Sequence, residues 1–285
     1  MTAASGMTNY PSSSWARCTS RPPAHQAFRR ALSAAIALLH SFAFETAQDA
    51  FRQVADEDPR CAMAHWGIAK TFDRWGTPDS QQLKRGWEEI KVAKSLRAKT
   101  ARERAYIAAE AAFYQHPERR NEKRDEKYLS GMERLYEQFP SDLEAAAFYA
   151  LALKNSDSDD DPTHAKRKQA AAILEKLFAL EPNHPGVAHY LIHTYDYPGM
   201  AELGLPAALR CAKIAPLAPH ALHMPSHIFA RLRCGKKTSI PIWRPSLPAA
   251  MLRLLTWETK DISTTPWSSL STLTCRAAEM RRHSN

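Results

Sequence analysis

The sequence predicts an all-α fold made of antiparallel helix pairs, and three observations carry that prediction. From Ala31 to Leu232 apolar residues recur three and four positions apart, which is the spacing of one helix face. Runs of β-branched residues are scarce over the same stretch, so nothing there reads as strand. Four prolines, Pro59, Pro140, Pro182 and Pro216, stand between apolar stretches. A proline cannot continue a helix and is favoured where the next one begins.

The elements follow in order. The stretch "ALLHSFAFETAQDAFRQVADEDPRCAMAHWGIAKTF" holds two helices with a turn closed by Asp58-Pro59. From Trp75 to Pro117 the text fits two further helices that match no other pair. Aligning the first three of the four prolines then exposes a repeat. Twelve residues before them stand Ala47, Tyr128 and Ala170, and eight before stand Phe51, Met132 and Leu174. Nine residues after stand Ile68, Tyr149 and Leu191, and thirteen after stand Phe72, Leu153 and Tyr195. Pro182 and Pro216 are 34 residues apart. Each helix pair in such a series leaves an apolar face that the next pair must cover.

Small and large apolar residues at these offsets, closed by proline, resemble the tetratricopeptide repeat. The phrases "DLEAAAFYALAL", "HPGVAHYLIHTYDYP" and "KIAPLAPHALHMPSHIFARL" narrow the resemblance to a family of bacterial tetratricopeptide-repeat (TPR) proteins that carries no settled activity. It covers about residues 31–232. What it implies is a TPR-like right-handed α-α superhelix serving as a scaffold. The aromatic and glycine of the ideal first helix are mostly missing here.

The ends read differently. Of the total charge of +9, residues 1–30 carry +4 and residues 233–285 carry +6, which leaves −1 for residues 31–232. The basic character therefore lies outside the repeat, and no nucleic-acid partner is expected. No apolar run approaches a membrane span, so no membrane partner is expected either. After Arg233 the helical period stops. In the family the phrase "HMPSHIFARL" is followed by Gly, an apolar residue, Trp and a further helix pair; this chain has "RCGKKTSIPIW". Read one frame over, the tail regains helical text; Trp257 followed by Glu258, for example, must give Gly. Both ends, 1–30 and 233–285, are therefore expected to be out-of-frame or disordered segments around a repeat domain at 31–232. The tail's Trp243, Trp257 and Trp267 have no pattern that would bury them, and the product is expected to aggregate.

Five cysteines, at 18, 61, 211, 234 and 275, form no CxxC pair. Cys61 and Cys211 read as small core residues in a reducing compartment. The location expected by default is the cytoplasm, with a signal peptide upstream of the given start left open.

Six of the twelve histidines fall between residues 184 and 227. His189 and His193 share a helix face, as do His223 and His227, with His220 one turn earlier. Imidazoles on facing helices build metal sites in bundles. The candidate metal ligands are His189, His193, Asp196, His220, His223 and His227, with zinc as the natural ion. Against this stand the usual structural roles of helical histidines, the absence of HExxH and the kink expected at Pro225. The run "SDSDDDP" (156–162) lacks the glycine and glutamate of a calcium loop and reads as a solvated connection. "PERRNEKRDEK" (117–127) reads as a solvated helix start and face. Trp66, Trp75 and Trp87 read as core. No phosphate-cradling loop or nucleophile elbow is present.

The function expected is a scaffold whose concave face takes a protein or peptide, with no catalysis and no cofactor required. The rival is a metal- or ligand-binding protein, or a hydrolase-like enzyme, using the histidines at 184–227.

Overall fold

The computed structural model describes residues 24–73, 78–119, 123–158, 160–215 and 218–235. Within them lie eleven α-helices and no strand: α1 (Ala24–His40), α2 (Phe44–Glu57), α3 (Ala62–Lys70), α4 (Ser80–Ser95), α5 (Ala101–Tyr114), α6 (Arg124–Gln138), α7 (Leu143–Asn155), α8 (Ala165–Leu180), α9 (Pro185–Tyr195), α10 (Leu205–Ile214) and α11 (Pro219–Gly235). A short 3-10 turn, Ala201–Gly204, leads into α10. The chain divides into two compact units, Met1–Arg231 and Leu232–Asn285. Apart from the last residues of α11, the second unit lies outside the described residues, as do Pro216, Trp75 and the first 23 residues. The expectations for the tail therefore fall where nothing is described; helix α1 begins at Ala24, inside the expected N-terminal segment.

The helices start and stop for local reasons. Asp79 caps α4 by accepting from the backbone N–H of Gln81 and Gln82, and Gln82 answers to the Asp79 N–H, a complete capping box. Thr100 and Glu103 form a second at α5. At α9, Pro185 occupies the first turn and the His184 ring accepts from Gly186 and Val187.

From α1 to α10 each helix packs on the next in sequence, which makes a TPR-like stack of helix pairs. All twelve repeat positions set by the proline alignment are buried, from Ala47 and Phe51 to Leu191 and Tyr195. Trp66 is buried and Trp87 half-buried. Cys61 and Cys211 are both buried and not joined in a disulfide.

The helices α1, α3, α5, α7 and α9 also meet one another, and the stack curls until α1 packs against α9. Their shared interior is aromatic. Trp66 stands edge-on to Tyr106 and Phe148, at 5.5 and 5.8 Å between ring centres, and Phe148 stacks on His40 at 4.6 Å. The close approach of α9 to α1 needs Gly186, where an added Cβ would lie 2.4 Å from His40 Nδ1.

Two charged runs depart from expectation. Asp157, in the acidic run, is buried to 1 % side-chain exposure and holds Arg167 at 2.9 Å and His164 at 3.1 Å. Arg124, in the mixed run, is buried and donates to the carbonyls of Phe113, Gln115, His116 and Arg119. Its guanidinium satisfies the end of α5, whose last carbonyls have no partner within the helix. Neither run is simply a solvated surface.

Candidate functional site

The histidines of α9 and α11 meet below the turn that joins α1 to α2. Phe42 in that turn takes a left-handed backbone, φ 55°. Its ring lies against His189, His193 and His220, at 4.4, 5.6 and 5.3 Å between centres. The expected kink at Pro225 does not separate the α11 imidazoles: Pro225 lies within the helix, and His223 packs against both His220, at 4.6 Å, and His227, at 5.3 Å.

Three of the six expected ligands converge. One nitrogen each from His189, His193 and His220 lies within 4.8 Å of the other two. His189 donates from Nδ1 to the carbonyl of His40 at 2.7 Å. That bond fixes its tautomer and leaves the Nε2 lone pair facing His193 Nε2, 3.0 Å away. Among the described residues His220 Nε2 is buried with no hydrogen-bond partner. All three imidazoles are held neutral. Burial lowers His189 well below its ordinary pKa, assisted by His220; burial does the same to His193, assisted by His189 and Lys154. Burial, then His223 and His227, push His220 down to about 4.

Asp196 and His227 are placed otherwise. The Asp196 carboxylate accepts from His227 Nδ1 at 2.9 Å and from Arg231 Nε. Burial works against its charge, but those two donors hold its pKa below the ordinary value. Asp196 is thus spent on an ion pair beside the three-histidine group, and His223 lies between the two.

A second cluster was not foreseen. His40, at the end of α1, donates from Nε2 to Glu144 at 2.7 Å, and its Nδ1 accepts from the Tyr190 hydroxyl at 2.8 Å. His184 Nε2 reaches the other Glu144 oxygen at 3.4 Å. Burial would raise the Glu144 pKa, yet the two imidazoles hold it well below the ordinary carboxylate range. Nothing in the local text marks this cluster, because His40 and Glu144 are 104 residues apart.

A cavity of about 810 Å³ opens on the inner helices. Phe42, Phe44, Leu83, Phe113, Leu151 and Tyr190 supply its apolar wall, and Lys70, Asp73 and Lys154 supply charge. Lys70 is already engaged, by Asp73 at 2.5 Å and Glu110 at 3.4 Å. Phe42 and Lys154 join the cavity to the histidines: Phe42 touches three of the rings, and Lys154 acts electrostatically on His193.

Fold and site together give an all-helical stack of helix pairs with a pocketed inner surface. Among solved structures the chain is similar to YrrB, described as a TPR protein with an unusual peptide-binding site, at 16 % identity and a TM-score of 0.36 over 69 % of this chain and 91 % of that one. No protein-family model and no curated protein matches the sequence. Among the described residues no helix is long and apolar enough to cross a membrane.

Proposed function

We propose that this protein is a binding scaffold whose inner cavity receives a peptide segment, or a protein presenting one, through a large apolar side chain. The observation that carries the reading is the cavity. Its 810 Å³ fall in the range of about 300–1,000 Å³ typical of ligand sites. Its wall combines aromatic and aliphatic side chains from several helices, so a bulky side chain entering it would be desolvated on most sides. The charged groups in the wall are of both signs, with Lys70 set against Asp73, so shape and apolar contact set the preference more than net charge does.

The test uses labelled peptides of random flanks around a central Phe, Leu or Ser, titrated into the full chain and followed by fluorescence anisotropy. Phe- and Leu-centred peptides should bind and Ser-centred ones should not. Asn155, exposed and at the cavity's edge, offers a way to block the opening without touching the core. Asn155→Trp should weaken binding about tenfold or more, corresponding to at least ~1.4 kcal/mol. Equal binding of all three peptide classes, or full affinity in Asn155→Trp, would refute the assignment.

A further inference from the structure

We propose that His189, His193 and His220 form a three-imidazole site for a divalent transition-metal ion of the zinc class, independent of any peptide bound in the cavity. Three observations converge on these side chains. Their nitrogens lie within 4.8 Å of one another. Two imidazole nitrogens bound to one tetrahedral zinc are about 3.3 Å apart, and His189 and His193 already stand at 3.0 Å. Ring rotation of His220, which is only half-buried, brings in the third.

The second observation is the outer partner of His189. A metal-bound histidine ordinarily donates its other N–H to a carboxylate or backbone carbonyl, which orients the ring and fixes the lone pair on the metal side. The bond from His189 Nδ1 to the His40 carbonyl, 2.7 Å long, does this. The third is the Nε2 of His220, buried and without a partner among the described residues. Burying a polar atom with no partner is costly, and a metal bond would satisfy it.

The other histidine cluster shows why proximity alone does not make such a site. His40, Glu144 and His184 are equally close together. There, however, both ring nitrogens of His40 are engaged by Glu144 and Tyr190, and His184 Nδ1 already accepts from two backbone N–H groups. No imidazole lone pair of that pair remains to be offered. In the α9–α11 group the His189 Nε2 lone pair meets another imidazole, His193 Nε2, rather than a carboxylate or backbone N–H, and among the described residues His220 Nε2 has no partner. Imidazole donors suit Zn²⁺, Cu²⁺ and Ni²⁺, and three protein ligands leave a fourth position for water or another donor.

The experiment takes the untagged, chelator-treated full chain and titrates Co²⁺, read by its visible d–d absorption, with Zn²⁺ followed by thermal shift. Wild type should take up one equivalent with bands of a low-coordinate site, and Zn²⁺ should raise its Tm. His220→Phe should keep the metal-free Tm, since the Nε2 it removes has no partner, and lose both bands and Zn²⁺ shift. Its affinity should fall by more than the ~10–100-fold that follows loss of an outer-shell partner. His223→Phe should bind as wild type does. X-ray absorption of the zinc-loaded wild type should count three imidazoles, a readout that needs no variant. Absence of Co²⁺ bands at stoichiometric metal, bands that survive His220→Phe, or fewer than three imidazoles around zinc would each overturn the site.

Discussion

Glu110 is wholly buried on α5, and among the described residues neither of its carboxylate oxygens has a hydrogen bond; Lys70 Nζ stands 3.4 Å away. Burial raises its pKa to about 7, against the pull of Lys70, from an ordinary 4.5. Between those values the folded chain binds a proton that the unfolded chain does not. The contribution to stability is therefore full below about pH 4.5 and is lost as pH rises through about 7. Denaturant unfolding at about pH 5 and about pH 8 should show this group's loss in wild type, on the order of 1–3 kcal/mol, and its absence in Glu110→Gln. Identical pH slopes in the two proteins would rule the effect out. Such residues are hard to read from sequence: Glu110, Arg124 and Asp157 look like surface charges because their partners are carbonyls and side chains brought near by the fold. Hydropathy places a charge outside unless a partner is visible, and no partner is visible in a local window.

At the scale of the element, the sequence is far more legible. Proline punctuation and apolar offsets place the helix pairs, and every aligned repeat position is in the core. Helices α4 and α5 match no repeat in sequence yet fill the places of a pair, which capping boxes at Asp79 and Thr100 delimit. Packing distance is less apparent. At Gly131 on α6 an added Cβ would lie 2.8 Å from the Ala109 Cα and 2.9 Å from its Cβ, so α5 and α6 meet backbone to backbone. Gly131→Ala removes no contact and improves helix propensity, but it must push the two helices apart. A loss of about 1–3 kcal/mol is expected for such overpacking, seen as a fall of several degrees in Tm. A stabilised variant would show that the interface can yield. Half of the candidate site was similarly legible: the i, i+4 histidines were visible in α9 and α11, whereas Phe42 and His40 sit in a different helix pair and carry no periodic mark.

For the first unit as a whole, the meeting of α1 with α9 matters most. His40 is its centre, bonded to Glu144 on α7 and Tyr190 on α9. His40→Leu would leave Glu144 a buried anion short of its nearest donor. Breaking a buried pair from one side costs about 3–5 kcal/mol. Hydrogen exchange should show α1 and α9 losing protection together while α5 and α6 keep theirs, since local opening follows cooperative units. A loss below about 1 kcal/mol would mean that the aromatic contacts alone hold the contact shut. Periodicity could not reveal this, because it reports which face of each helix is apolar and says nothing of how far a series of pairs must turn before its two ends touch.

An open array of repeats can gain or shed a unit and lose only one interface, so its length drifts freely over generations and its stability grows unit by unit. Here α1 and α9 are neighbours, and adding or deleting a pair anywhere between α2 and α8 would carry His40 away from Tyr190. The number of helices in that interval is therefore fixed by geometry. The same contact, joining residues 150 positions apart, ties the order of assembly to partners far apart in the sequence. Folding should finish slowly, at the seam, after the individual pairs have formed.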